Sequence, residues 1–255
     1  MASLITLTDQ QIAQYQADGY LVAPDLLTSE EVDAFLAHEA DPKSQELRNG
    51  LSTHLTDSEW DYLSRHPNVA GVASQLIEGQ PRIVQTMYLA KAPAANGKEK
   101  GGAGVAMHQD THYLPTEPNT LMACWIAMSD TDPDNGGLCV VPGSHKTDLR
   151  STHLNKSDDH ASWETDHEMK SSDGREWVQT FYSFTIDDIE KENLVQLTVP
   201  RGGGVFFTGM TIHGSYANYS HNRPRLAFAV HFIRDGSWVL RRDVQDTTLV
   251  EAYSG

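Results

Sequence analysis

After Gly79 the chain becomes a succession of short strand-like segments with no helical stretch between them. Ile83 to Leu89, Leu121 to Met128, Leu138 to Val141, Leu194 to Val199, Gly204 to Thr208 and Leu226 to Ile233 all read as strands. Pro133-Asp134-Asn135-Gly136-Gly137 is a strong turn between two of them. Strands that do not alternate with helices cannot form βαβ units, so a parallel sheet is excluded. Before Gly79 the pattern is helical. Thr8-Asp9-Gln10-Gln11 and Thr28-Ser29-Glu30-Glu31 both have capping-box spacing. Val32, Phe35 and Leu36 follow at helical spacing. Asp18-Gly19 ends the first helix, Tyr20 to Ala23 reads as a short strand, and Asp41-Pro42 stops the second helix. Asp57 to Glu78 is again mostly helical, broken at His66-Pro67. Helices followed by many short strands favour an antiparallel sandwich or jelly roll with the helices outside. The expectation is one mainly β domain over residues 1–255, with 1–80 as helical support and 81–255 as the strand core.

Composition narrows the function. Lys and Arg number 19 against 35 Asp and Glu, a formal net charge of -16. Such a chain lacks the cationic surface that nucleic acid requires, and an anionic membrane repels it. No apolar run approaches the about 20 residues of a membrane span. Met1 to Thr6 lacks the basic start and apolar core of a signal peptide, and no peroxisomal targeting pattern stands out. A cytoplasmic protein acting on a small molecule is expected. The two cysteines, Cys124 and Cys139, make no disulfide framework and read as buried, inert thiols.

The chemistry is concentrated in His108-Gln109-Asp110. On a strand, residues two apart share a face, so an imidazole and a carboxylate would stand side by side. A third ligand must come from another strand. His213, between the apolar Val205-Phe206-Phe207 and Gly214, is the best candidate. Together these form the 2-His-1-carboxylate set of non-haem Fe(II) oxygenases, which leaves positions open for a cosubstrate and O2. One H-x-D tripeptide in a chain with 12 histidines is weak by itself. Arg225 lies 12 residues after His213, and a hairpin through Asn218 to Pro224 would return it beside that histidine. A buried arginine needs an anion, either a bound dicarboxylate or one of the 35 acidic side chains. Spacing alone favours the salt bridge.

The segment from Gln85 to Arg150 resembles the phytanoyl-CoA dioxygenase family. It carries Gln85-Thr86-Met87-Tyr88, Met107-His108-Gln109-Asp110-Thr111-His112-Tyr113, Trp125-Ile126-Ala127-Met128 and Asn135-Gly136-Gly137-Leu138, leading to Pro142-Gly143-Ser144-His145. Val205-Phe206-Phe207, His213-Gly214-Ser215, Arg223-Pro224-Arg225-Leu226-Ala227 and His231-Phe232 continue the likeness, as does Asp18-Gly19-Tyr20-Leu21-Val22. The resemblance covers nearly all the chain except residues 150–192. It implies a double-stranded β-helix, a cupin-like jelly roll, and dependence on Fe(II), 2-oxoglutarate and O2. Carried over, His108, Asp110 and His213 match the iron ligands. Arg225 matches the arginine that holds the distal carboxylate of 2-oxoglutarate. Ser215, Trp125 and Met87 match positions beside that cosubstrate, and Arg48 matches, more loosely, a basic residue reaching it from the helical region. The family often has Gly-Asp before the Val-Phe-Phe strand, where this chain has Gly202-Gly203-Gly204.

The resemblance implies hydroxylation of a small molecule coupled to decarboxylation of 2-oxoglutarate to succinate and CO2. Halogenases of this type have a small residue where Asp110 stands, so hydroxylation is the expected outcome. The alternatives are a cupin-like hydrolase or isomerase holding another divalent metal, and a non-catalytic jelly-roll binding module. A hydrolase has no use for an arginine that fixes a dicarboxylate. The net charge disfavours a polyanionic CoA ester as substrate. Residues 147–190 are polar and weakly periodic, with a Ser171-Ser172-Asp173-Gly174 turn, and are expected to form a lid. His153, His160 and His167 recur every seven residues there, as a second metal site or a solvated loop. His112 and Tyr113 stand close enough to the motif to touch substrate or simply to pack. His231 shares a face with Arg225 and is expected to support a metal ligand from outside or to line the cavity.

Overall fold

A computed structural model describes residues 4–45, 50–95, 97–157, 160, 162–187 and 189–251. Helices α1 (Asp9–Asp18) and α2 (Ser29–Ala40) open with the two expected capping boxes. The Thr8 amide donates to Gln11 Oε1 at 2.9 Å and the Thr28 amide to Glu31 Oε2 at 2.8 Å. Gly19, at φ +80°, ends α1 in a left-handed cap and releases the chain into β1 (Tyr20–Ala23). Pro42 and Pro67 open helices α3 (Pro42–Gln45) and α5 (Pro67–Leu76), where a missing N–H costs nothing. The break expected at His66-Pro67 is thus the boundary between α4 (Ser58–Ser64) and α5.

Strands β2 (Pro81–Lys91), β3 (Val105–His108), β4 (Thr116–Glu117), β5 (Met122–Ala127) and β6 (Leu138–Val140) follow. Then come β7 (His153–Leu154), β8 (Glu164–Lys170), β9 (Glu176–Tyr182), β10 (Phe184–Thr185) and β11 (Val195–Gln196). The chain closes with β12 (Gly204–Thr208), β13 (His213–Ser215), β14 (Arg225–Arg234), β15 (Trp238–Val239) and β16 (Thr248–Leu249). One sheet has the order β1-β12-β5-β14-β2-β16 and the other β11-β6-β13-β3. All their pairings are antiparallel. The result is the mainly β, cupin-like jelly roll flanked by N-terminal helices.

The larger sheet is covered on both faces, which is why its strands read as unbroken apolar runs. Met122, Cys124 and Ile126 of β5 and Phe228 and Val230 of β14 turn toward the helices. There Phe35 and Trp60 meet Phe228 edge-on, each with ring centroids 5.4 Å apart. The alternate residues Ala123, Trp125, Ala127, Ala227 and Ala229 face the small sheet, against Leu138 and Val140. Bulky residues outside and alanines inside leave space between the sheets. Gly202, at φ +84°, sits in a tight turn before β12 where a Cβ would come within 2.6 Å of the Leu27 carbonyl. Only glycine fits there.

Residues 147–190 are more regular than their polarity suggests. β8 and β9 form a long hairpin closed by the Ser171–Gly174 turn, and β7 pairs with β10. Met169, Phe181 and Phe184 form a small core beneath it, packed against Tyr113. A two-stranded ribbon buries one narrow face, so its apolar signal is only a residue or two per strand. Among the described residues no helix is long and apolar enough to cross a membrane.

Candidate metal centre

β13 pairs with β3 so that His213 and His108 are direct cross-strand partners. Their rings lie 4.3 Å apart, centroid to centroid. The pleat does not place Asp110 as the sequence suggests: β3 ends at His108, and Asp110 opens a 3-10 turn, Asp110–His112. The turn still delivers the carboxylate to the imidazoles. Ligand atoms of His108, Asp110 and His213 all lie within 4.8 Å of one another, and all three residues are buried.

Hydrogen bonds set which nitrogens face inward. His108 Nδ1 lies 2.7 Å from the Ala106 carbonyl and His213 Nδ1 3.0 Å from the Thr211 carbonyl. A carbonyl only accepts, so each Nδ1 carries the proton and each Nε2 presents its lone pair to the site. Asp110 Oδ1 is 3.3 Å from His108 Nε2 and 3.5 Å from His213 Nε2. Its Oδ2 is 3.1 Å from His231 Nε2, whose Nδ1 lies 3.4 Å from the Gln85 amide nitrogen. That amide donates, so His231 accepts at Nδ1 and donates from Nε2 to the carboxylate. Burial pushes the Asp110 carboxyl up, but the histidines around it, His213 and His231 foremost, hold it well below the usual carboxylate range. Burial pushes His213 down to about 4, against the opposing pull of Asp110. A neutral imidazole and an ionised carboxylate are the forms a divalent metal needs. With three protein ligands and open positions, the set fits iron.

Arg225 opens β14 and is 3% exposed. Its Nη1 donates to the Leu89 carbonyl at 2.8 Å, and its guanidinium stands 5.8 Å from the Trp125 ring. Its Nε has no partner, and no described carboxylate pairs with it. The salt bridge that spacing favoured is therefore not made. Burial pushes Arg225 down to about 10. Between Arg225 and the triad lies a cavity of about 130 Å³, whose lining includes Met87, Trp125 and Ser215. A buried, under-used guanidinium across a cavity from a metal triad fits a dicarboxylate that chelates the metal at its other end. Arg48 lies outside the described residues.

A second cavity, of about 450 Å³, also has His108 and Asp110 in its lining. Gln85, Tyr113, Trp163, Thr165, His167 and Phe184 line it. Tyr113 therefore faces the cavity, as does His231. His112 instead lies 3.0 Å from the Arg150 carbonyl and stacks on Phe184. His153, His160 and His167 do not converge among the described residues. His153 pairs with Asp187 at 3.3 Å, His167 with Asp243 at 3.6 Å, and His160 lies against Gly104. Cys124 and Cys139 are buried free thiols, and burial raises Cys139 to about 11. Gln85 and Lys91 were not picked out from the sequence. Both lie on the inward row Gln85-Met87-Leu89-Lys91, and a polar side chain at each end of such a row was the available signal.

The profile of the phytanoyl-CoA dioxygenase (PhyH) family matches residues 38–227. Phytanoyl-CoA dioxygenase 1 of Oryza sativa subsp. japonica is 28% identical over 184 residues, 72% of this chain and 56% of its own length. Phytanoyl-CoA dioxygenase domain-containing protein 1 of Mus musculus is 29% identical over 194 residues, 75% of this chain and 58% of its own. The chain thus spans less than two thirds of either relative. In fold it is similar to the non-haem 2-oxoglutarate-dependent carbocyclase SnoK of nogalamycin biosynthesis, with a TM-score of 0.71 and 21% identity, over 98% of this chain and 100% of that one. It is also similar to EctD of S. alaskensis, solved with 2-oxoglutarate and 5-hydroxyectoine, with a TM-score of 0.64 and 20% identity, over 91% of this chain and 78% of that one. With the matching profile covering most of the chain, this protein belongs to the phytanoyl-CoA dioxygenase (PhyH) family.

Proposed function

We propose that the protein hydroxylates an unactivated C–H bond of a small, largely uncharged molecule, with decarboxylation of 2-oxoglutarate to succinate and CO2. The observation that carries this reading is Arg225, a buried guanidinium with a free Nε facing the triad across the smaller cavity. Iron bound at the triad supplies the oxidising power that couples the two reactions. His108 and His213 would hold it through Nε2, and Asp110 through its carboxylate. Arg225 and Ser215 take the far carboxylate of the 2-oxo acid, with Trp125 and Met87 as walls. Asp110 occupies the position that a halide would need, which favours hydroxyl transfer.

The larger cavity is the substrate site in this reading. Among the described residues Arg241 is the single arginine or lysine in its lining, and its Nε and Nη2 are already engaged by Asp243 at 3.0 and 2.5 Å. His167 is pushed down by burial, so it adds no positive charge near neutral pH. Among the described residues no cation is left over for a polyanionic thioester, which favours a free metabolite over a CoA ester. We read residues 1–255 as one oxygenase domain whose 147–190 segment is a lid, because Trp163, Thr165 and His167 of that segment line the cavity. The free buried thiols accord with a reducing, cytoplasmic setting.

The test is anaerobic addition of Fe(II) and 2-oxoglutarate. A weak visible charge-transfer band is expected, and on admission of O2, succinate and CO2. A protein that binds divalent metal but develops no band and consumes no 2-oxoglutarate would favour the hydrolase or isomerase reading instead.

A further inference from the structure

Lys91 ends the inward row of β2 and is the register partner of Arg225 on β14. It is 4% exposed. Its ammonium donates to Ser215 Oγ at 2.7 Å, to the Tyr216 carbonyl at 2.5 Å and to the Gly136 carbonyl at 3.4 Å. All three acceptors are neutral, and no described carboxylate pairs with it. Two basic side chains therefore lie side by side in the interior with no carboxylate paired to either among the described residues. Burying one unpaired charge is costly, and burying two alike is costlier. An arrangement of this kind is stabilised when an anion arrives from outside.

We propose that Lys91 is a positioning residue that turns the Ser215 hydroxyl toward the far carboxylate of the 2-oxo acid. This rests on the reading of the Arg225 cavity given above. The argument is one of hydrogen-bond polarity. An ammonium has only donors, so Ser215 must accept from it and cannot donate back. The Ser215 O–H is left to point elsewhere, and Ser215 lines the cavity together with Arg225. A carboxylate only accepts. It can therefore take the serine O–H and the guanidinium N–H at once, and the serine is held in the binding orientation beforehand. The positive charge of Lys91 acts in the same direction.

The arrangement also links binding to a proton. Burial first, and then Arg225, push Lys91 down to about 7, while Cys139 on β6 opposes them. Cys139 is itself raised to about 11 by burial, so it stays neutral through this range. A carboxylate entering beside Arg225 favours the ammonium and raises the Lys91 value in the complex. Below about 7 the ammonium is already present and affinity should be flat. Above it, binding must take up a proton, so affinity should fall as pH rises until the raised value of the complex is passed.

The experiment is calorimetric titration of 2-oxoglutarate into the Mn(II)-loaded protein, from about pH 6 to about pH 9, in two buffers of different ionisation enthalpy. Wild type should bind with proton uptake on the alkaline side. Lys91→Met should raise Kd about tenfold at the acid end, the worth of one hydrogen bond to a charged group, and abolish the uptake. Lys91→Arg should also lose the uptake, because arginine does not titrate there. Ser215→Ala should weaken binding, and the double variant with Lys91→Met should be no weaker than the worse single one. Unchanged affinity in Lys91→Met, or additive effects of the two substitutions, would overturn the proposal. In that case loss of binding in Arg225→Ala would still uphold the reading of the cavity. Should Lys91→Met not fold, binding by wild type without proton uptake would overturn it equally. If wild type does not bind 2-oxoglutarate at all, both readings fall.

Discussion

His231 Nε2 stands 3.1 Å from Asp110 Oδ2, the carboxylate oxygen that His108 and His213 leave free. One imidazole outside the triad thereby fixes the rotation of the ligating carboxylate, and Gln85 fixes that imidazole in turn. Removing such an outer partner commonly weakens metal binding about 10- to 100-fold. His231→Ala should show a loss of that size in Fe(II) or Mn(II) titrations with little change in fold. An unaltered metal affinity would reduce His231 to a cavity wall.

The triad itself is expected to be indispensable. His108→Ala, Asp110→Ala and His213→Ala should each abolish iron-dependent turnover of 2-oxoglutarate, since three ligands leave little affinity in reserve. Thermal melting should move far less than activity, because the three side chains line a cavity rather than the packed core. Near wild-type turnover in any one variant, with iron as the only metal, would show that its residue is not a ligand.

Arg225→Ala should raise the 2-oxoglutarate constant by roughly 30-fold or more, as truncating one partner of a buried charge pair costs about 2–5 kcal/mol. Arg225→Lys should recover part of the loss, since the planar fork is gone. Initial rates against 2-oxoglutarate concentration decide the matter, and an unchanged constant in the alanine variant would make Arg225 structural.

A different outcome is expected for the lid. Trp163, half exposed at 43%, lines the larger cavity and stacks near Tyr113 at 5.8 Å. Trp163→Ala should leave the slow, substrate-independent decay of 2-oxoglutarate in place. Substrate-coupled turnover should fall about tenfold, the worth of one aromatic contact. Equal loss of both rates would place the segment in the core instead.

Stability should be most sensitive where the helices meet the sheet. Phe228 is fully buried between Phe35 and Trp60. Phe228→Ala should cost about 3–5 kcal/mol, readable as a lower urea midpoint at unchanged slope. A cost under about 1 kcal/mol would mean that the helices hold the sheet some other way.

Local rules account for what the sequence determined alone. Thr8 with Gln11 and Thr28 with Glu31 meet within one helical turn, so both helix starts could be read directly. β1, β2, β5, β12 and β14 were legible because their centres are apolar, whereas the two-residue β16 carried no such signal. The three candidate ligands were legible because His108 and Asp110 lie two residues apart and His213 follows an apolar strand. What lay beyond reach depended on contacts between distant strands. Whether Arg225 meets an acidic side chain, and whether Lys91 and Ser215 meet at all, is decided by the register of β14 on β2 and the approach of β13. The β8–β9 ribbon was hidden for a related reason. It buries little more than Met169 and Phe181, and those residues acquire a core only when Phe184 and Tyr113 are brought beneath them. Periodicity records which face of an element is buried, whereas the partner across the interior is set by packing of the whole chain.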